Sequence, residues 1–250
     1  MSEVTELGGK FSIEDVEILF EDNHLLVVVK PQNMPAQEDS SKDPDLLNVL
    51  KGYIKEKYNK PGEAFLGLVH RLDRPTGGVM VYARTSKAAA RLSQAIRDGD
   101  IEKNYLTVIN NEMNEEKGIL VSYLKKDPST NTVSVVTQLT EGAKRAELLY
   151  TRLEKKVVEK KTISLVKVSL ITGRGHQIRA QFASQGCPIF GDKKYGDKLA
   201  KGSNLALWAY ELKLYHPVTN DRLVFVAYPP EEREPWKKFE LKQYMEKFFY

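Results

Sequence analysis

Short apolar runs that follow one another across tight turns are the feature that most limits what this 250-residue chain can fold into. Runs of this kind favour strands joined by hairpins, and such strands pair antiparallel rather than in the alternating pattern of a parallel sheet. We therefore predict an α+β fold with a mixed, mostly antiparallel central sheet and flanking helices. The predicted strands cover 18–20, 25–29, 79–83, 105–109, 119–124, 132–137, 146–153, 162–171, 205–215 and 222–228.

Helix signals are fewer. Apolar residues recur at helical spacing after Asp45, and Thr85 or Ser86 can cap a second helix that stops at Gly99. The predicted helices lie at 45–58, from 85 or 86 to 99, within 173–186, and at 235–250.

No repeat and no linker-like stretch interrupts residues 23–230, so we predict a single domain over 16–250 behind a flexible segment, 1–15. No apolar run reaches the roughly 18 residues of a membrane span, and the start lacks the pattern of a signal peptide. The one cysteine, Cys187, can form neither an intrachain disulfide nor a cysteine-rich zinc site. We expect a cytoplasmic protein that does not bind membranes.

The charge is unevenly spread. The net charge is +4, but residues 1–22 hold one lysine and seven carboxylates, a sum of −6, so the remainder of the chain carries +10. A basic body favours a polyanionic partner such as nucleic acid, because phosphate binding releases counterions. A solvated, lysine-rich surface is the alternative interpretation.

Several familiar cofactor-binding and catalytic motifs are absent from the sequence. The glycines at 173 and 175 begin a dinucleotide fingerprint, but Ile178 stands where its third glycine would fall. No P-loop, G-x-S-x-G or H-E-x-x-H sequence occurs, and the four histidines show no ligand spacing. We therefore expect no cofactor and no metal.

Residues 70–78 place Asp73 in a turn between Arg71 and Arg74. Nearby guanidinium groups stabilise the charged form of a carboxylate, which is the form that acts as a nucleophile or base. An aspartate that only caps the turn is the alternative.

Two further segments carry reactive residue types. In 172–182, His176 and Arg179 are three residues apart and share one face of a predicted helix, while Ile178 lies on the apolar face. An inward-facing arginine needs an anionic partner, and the aspartate of the first segment is the candidate. Tyr105 opens a strand after a charged loop. A basic surface helix and plain sheet packing are the respective alternatives.

Taken together and in this order, the segments 70–78 (HRLDRPTGG), 103–105 (KNY) and 172–179 (TGRGHQIR) resemble the motifs of the RluA-type pseudouridine synthases. That family has an H-R-L-D-x-x-T-S-G turn, a K-x-Y strand start and a T-G-R-x-H-Q-I/L-R helix. The resemblance extends to 18–31, 188–196 and 205–230, so it covers roughly 16–230. It implies a stand-alone catalytic domain of the pseudouridine synthase fold without the S4 RNA-binding module of some relatives.

The resemblance implies isomerisation of uridine to pseudouridine in structured RNA, ribosomal or transfer, without a cofactor. The sequence does not indicate the oligomeric state, and we take a monomer as the default. Asp73 matches the catalytic aspartate, which attacks C1′ or removes a sugar proton; Arg179 matches its arginine partner, and Tyr105 the tyrosine that stacks on the base. The candidate substrate contacts are Arg71 as a wedge, Ile178 as pocket floor, and Arg74, Arg174, His176, Lys193, Lys194 and Lys198 toward the RNA. A non-catalytic RNA-binding or chaperone protein, or a hydrolase that uses the same aspartate, are the alternatives.

Two departures from the family pattern stand out. Gly77 occupies the usual serine position, and Trp208-Ala209 replaces a common His-Ala pair. We expect Gly77 to preserve or loosen the turn and to remove a hydroxyl that could position the aspartate by a hydrogen bond. We expect the second departure to be remote from the catalytic motifs and to alter only packing.

Overall fold

One sheet of eleven strands organises the computed structural model, which describes residues 11–196 and 203–245. Its strands follow the order β1-β2-β4-β10-β5-β9-β8-β6-β7, with β3 beside β4 and β11 beside β10. Every pair is antiparallel except β4 and β10, so the predicted mixed, mostly antiparallel sheet is confirmed. The strands are β1 (Glu17–Glu21), β2 (Leu25–Lys30), β3 (Gly67–Leu68), β4 (Gly77–Ala83), β5 (Glu102–Asn110), β6 (Lys117–Asp127), β7 (Thr132–Val136), β8 (Lys144–Val158), β9 (Lys161–Leu170), β10 (Leu207–Tyr215) and β11 (Arg222–Val226).

Four α-helices flank this sheet within the described residues: α1 (Leu46–Lys57), α2 (Ser86–Asp98), α3 (Gln177–Ser184) and α4 (Leu241–Met245). Capping chemistry explains where α1 and α2 begin and where α2 ends. Asp45 accepts the amide of Asn48 at 3.1 Å, and Thr85 accepts that of Ala88 at 3.1 Å. Gly99 ends α2 in the left-handed region, with φ of 84°.

The predicted continuous helix at 235–250 is wrong for the part that the structure describes. A single 3-10 turn, Trp236–Lys238, is followed by Phe239 in extended conformation and then by α4. Trp236, Phe239 and Leu241 are all buried, and a spacing of three and then two does not fit one helix face. The break lets all three side chains reach the core. Residues 246–250 of the prediction lie outside the described range.

The central strands carry apolar side chains on both faces, and each face has its own core. Along β4, Met80 and Tyr82 point into the core that includes α1 and α3, whereas Val79 and Val81 point into the core under α2. This alternation follows from the period of two in a strand. Because both faces are covered, β4 is buried over its whole length.

The parallel contact of β4 with β10 is tight. Gly77 pairs with Trp208, and a Cβ on Gly77 would lie 2.3 Å from Cζ3 of that indole. The indole is 7% exposed and donates its Nε1 hydrogen to the carbonyl of Ala227 at 3.0 Å. The prediction that Trp208 is remote from the catalytic motifs is therefore wrong. Its ring fills the space that a serine side chain would need.

The chain start is described from residue 11 onward. Residues 11–15 fall within the segment predicted to be flexible, and there Ile13–Asp15 form a 3-10 turn with a capping box from Ser12. The side chains of Phe11 and Ile13 pack against the core. Residues 1–10 lie outside the described range. No helix among the described residues has the length and apolar character to traverse a lipid bilayer.

Candidate active site

A cavity of about 540 Å³ opens at the centre of the sheet, where the three predicted segments meet. Asp73, Tyr105 and Arg179 all line it, although they come from the β3–β4 connection, β5 and α3. The turn before β4 is closed by a hydrogen bond from the amide of Thr76 to the carbonyl of Asp73 at 2.9 Å. The side chain of Asp73 remains 26% exposed, which leaves its carboxylate accessible from the cavity.

A buried lysine forms a hydrogen bond with the backbone of this turn. Lys30, at the end of β2, donates to the carbonyl of Arg74 at 3.0 Å and to those of Pro31 and Met34 at 2.9 and 2.6 Å. Burial lowers the pKa of Lys30 to about 7, and the nearby charge of Asp73 acts in the opposite direction. Its hydrogen bond to Arg74 ties the turn that carries Asp73 to β2, and the other two hold the segment that follows β2.

Arg179 is held mainly by a carboxylate that the sequence analysis did not identify as its partner. Its Nε and Nη2 atoms each lie 2.8 Å from an oxygen of Asp192, a two-point contact, while Nη1 lies 3.4 Å from Oδ2 of Asp73. Burial acts to lower the pKa of Arg179, but the hydrogen bonds that it donates to Asp192 and the charges of Asp192 and Asp73 together outweigh burial and hold the pKa above its ordinary value. The guanidinium therefore joins two aspartates, and Asp73 is the less tightly bound.

Asp192 is in turn fixed by backbone groups. Its Oδ1 accepts the amides of Lys194 at 3.0 Å and Tyr195 at 3.2 Å, and the side chain is completely buried. Gly191 precedes it with φ of 77°, where a Cβ would come within 2.2 Å of a backbone oxygen. Asp192 belongs to the segment 188–196 that carries part of the family resemblance, which was the available signal for its role.

His176 also approaches the carboxylate of Asp73. It precedes α3 rather than lying on it, in the left-handed region with φ of 51°, and Nε2 lies 3.8 Å from Oδ2 of Asp73. Nδ1 lies 2.6 Å from the hydroxyl of Tyr195, which already accepts the amide of Val133 and so has its own hydrogen free to donate. Burial lowers the pKa of His176, although Asp73 opposes this shift. The ring can thus remain neutral with its Nε2 proton toward the carboxylate.

Tyr105 provides an aromatic wall. It lies at the centre of the sheet, paired with Val168 of β9 and Ala209 of β10, and is 7% exposed. Burial, and then the charge of Asp73, raise the pKa of Tyr105, so the phenol stays protonated at neutral pH. An uncharged ring beside the carboxylate can accept a flat base against its face.

The other predicted contacts divide into two groups. Arg71, Arg174, His176 and Ile178 line the cavity. Arg74, Lys193 and Lys194 do not: Arg74 pairs with Asp43 and Asp39, and the ammonium of Lys194 donates to the carbonyls of Thr130 and Asn131. Lys198 lies outside the described residues. Arg97 and Lys103 are two basic lining residues for which the sequence predicted no role.

Over residues 11–196 and 203–245, the structure contains no cluster of three His, Cys, Asp or Glu side chains suited to hold a metal ion. The chemistry that these residues themselves offer is that of one accessible carboxylate, positioned by a guanidinium and an imidazole beside an aromatic ring.

Comparison with known proteins gives consistent matches. The model of a family described as RNA pseudouridylate synthase matches residues 24–184. An uncharacterized RNA pseudouridine synthase of Aquifex aeolicus is 33% identical over 86% of this chain and 70% of its own length. The ribosomal large subunit pseudouridine synthase C of Haemophilus influenzae is 32% identical over 88% and 67%. The solved structure of human RNA pseudouridylate synthase domain containing 4 superposes with a TM-score of 0.70 and 25% identity, covering 86% of this chain and 88% of that one.

Proposed function

The chain belongs to the RNA pseudouridylate synthase family, isomerases that convert uridine in RNA to pseudouridine, and from this premise we propose that Asp73 is its catalytic group. The observation that carries the proposal is the accessible carboxylate of Asp73 in a cavity that Arg179 and Tyr105 also line, with the guanidinium 3.4 Å away. Family membership weighs against the non-catalytic RNA-binding and hydrolase alternatives.

The reaction breaks the bond between C1′ and N1 of the uridine and forms a bond between C1′ and C5. The proton on C5 is lost and N1 gains one, so atoms and electrons balance without an oxidant. Asp73 either attacks C1′ as a nucleophile or removes a proton from the sugar. Both roles require a charged carboxylate with a fixed direction, and the contact with Arg179 supports that requirement.

The neighbouring residues serve the base and its surroundings. Tyr105 offers the face on which an unstacked uracil can rest, which replaces part of the stacking lost on base extrusion. Arg71 is exposed, and its side chain can occupy the gap that the extruded uridine leaves in the RNA. Arg174, His176 and Ile178 complete the wall of the binding site. The RNA roles of Arg74, Lys193, Lys194 and Lys198 remain predictions for contacts outside this cavity.

We propose a structured ribosomal or transfer RNA as the substrate, and the ribosomal class is favoured because four of the relatives are named ribosomal large subunit pseudouridine synthases. We further propose that the protein acts as a single-domain monomer in the cytoplasm, where its one thiol stays reduced. Pseudouridine mapping of total RNA from a deletion strain and its parent tests this substrate class. We expect one or a few uridines to lose the modification in a stem-loop; an unchanged map in both RNA classes would refute the assignment.

Replacing Arg179 by methionine is expected to lower kcat by a factor of about 10² to 10³, because Asp73 loses the group that fixes its direction. The substitution also leaves Asp192 buried without its partner, which costs about 3–5 kcal/mol of unfolding free energy. Tritium release from C5-labelled RNA should therefore be measured well below the melting temperature. Arg152→Met on β8, which removes an arginine paired with Glu112, is the matched control. Normal turnover by Arg179→Met in the folded state would show that Asp73 does not depend on this contact.

A further inference from the structure

We propose that Lys103 binds the phosphodiester next to the target uridine, so that the cavity holds a phosphate subsite beside its base site. This inference rests on the proposed function, since it assigns a substrate contact within the same cavity. It concerns a residue to which the catalytic proposal gives no role.

The first support is the placement of Lys103 on β5. It stands two residues before Tyr105, and side chains at that spacing point to the same face of a strand. Both line the cavity. Their Cα atoms are about 7 Å apart along an extended strand, enough for a ribose to lie between a base on the ring and a phosphate on the ammonium.

The second support is the lack of any anionic partner. Among the described residues, no hydrogen bond or ion pair engages the ammonium of Lys103, although the side chain is half-buried. The amine lies beside the backbone of Gly173, where an added Cβ would be only 3.4 Å from Nζ. Removing a charge partly from water is costly unless an anion compensates it. The burial that lowers the pKa of Lys103 expresses this cost, and a bound phosphate would reverse it.

The third support is the charge of the surrounding wall. Within the described part of the lining, Asp73 is the only carboxylate, and the cationic side chains are Arg71, Arg97, Lys103, Arg174 and Arg179. Arg179 is already neutralised by Asp192. Arg97 lines the same cavity, and the imidazole of His70 lies close enough to Lys103 to feel its charge: burial and then Lys103 lower the pKa of His70 to about 4. His70 is therefore neutral at pH 7, and this end of the cavity has an excess of positive charge.

A lysine suits a phosphate in this position. Its ammonium is a compact charge that binds phosphate oxygen without the fixed geometry of a guanidinium. A contact to a uracil carbonyl is the other use of such a donor, and the two differ in one measurable property. Only a phosphate contact is sensitive to neutralising the RNA backbone.

The test combines protein and RNA substitutions in a double-mutant cycle. The full-length wild type, Lys103→Met and Lys103→Arg are titrated with an RNA hairpin carrying the mapped uridine, unmodified or with one methylphosphonate on its 5′ or 3′ side. We expect Lys103→Met to bind unmodified RNA on the order of 10-fold more weakly. At one of the two positions, the methylphosphonate should weaken RNA binding by the wild type to a similar extent. The same methylphosphonate should hardly weaken RNA binding by Lys103→Met. For Lys103→Met, the slope of log affinity against log salt concentration should be smaller than for the wild type by the amount that about one phosphate contact contributes.

The controls separate the possible failures. Lys117→Met removes an exposed lysine of β6 that does not line the cavity, and it should show neither the coupling nor an effect on KM. Lys103→Arg keeps the charge and should restore most of the affinity, which excludes a folding defect as the cause. Additive losses at both phosphate positions, or unchanged binding by Lys103→Met, would overturn the inference. If wild type releases no tritium from the hairpin, the proposed function fails instead.

Discussion

Asp73→Asn is expected to abolish pseudouridine formation, with a loss of at least about 10⁴-fold in kcat. Asparagine keeps the shape of the side chain but removes the negative charge, so it can neither attack C1′ nor accept a sugar proton. The turn should survive, because the hydrogen bond that closes it uses the carbonyl of Asp73 and not its side chain. Single-turnover tritium release and direct detection of pseudouridine in the RNA give two measures of the same loss.

RNA binding is the internal control for this result. Since the carboxylate is the one anion described in the cavity wall, neutralising it should leave affinity for the hairpin unchanged or slightly raised. Asp221→Asn, an exposed aspartate between β10 and β11, should retain full activity. Product formation by Asp73→Asn at the rate of the control would remove the basis of the catalytic assignment.

The second large effect is expected at Gly77. Gly77→Ser places a Cβ 2.3 Å from a ring carbon of Trp208, far inside any real contact distance, and that indole is fixed by its hydrogen bond to Ala227. Overpacking of this kind costs about 3 kcal/mol. For a chain of this length, the loss corresponds to a fall of about 10 °C in melting temperature. Because β4 begins at Gly77 and the catalytic turn ends immediately before it, kcat should fall as well.

Trp208→His should relieve most of this cost when it is combined with Gly77→Ser, because the smaller ring leaves room for the serine. The free energies of unfolding of wild type, the two single variants and the double variant form a cycle, and we expect a coupling energy of roughly 1–3 kcal/mol. Thermal or urea unfolding followed by circular dichroism measures each corner. Simple additivity of the two substitutions would contradict the packing seen between β4 and β10.

The strands other than the two-residue β3 and the helices α1, α2 and α3 could be predicted because their signals are local. Alternating apolar residues, the caps at Asp45 and Thr85 and the glycine at 99 act within one element. The terminal segment failed for the opposite reason: Trp236, Phe239 and Leu241 bury themselves in a core built by distant strands, and this tertiary packing overrides a weak helical preference.

The same contrast between local signals and long-range packing applies to the candidate site. Motif order and the family resemblance brought Asp73, Tyr105 and Arg179 to one cavity, and the structure places them there. Asp192 was missed as the main partner of Arg179, because nothing in its own neighbourhood shows which buried cation it meets.

Gly77 and Trp208 were treated as separate departures from the family pattern. They are 131 positions apart, and only the pairing of two distant strands reveals their contact.

The arginine shared between two aspartates has a consequence for what approaches the cleft. Summed as formal charges, the trio of Asp73, Arg179 and Asp192 comes to minus one, and the surplus resides on the member that faces open space. An electrophilic carbon entering here meets a carboxylate that shares its guanidinium with a second aspartate, whereas a strict one-to-one couple would present only a neutral dipole.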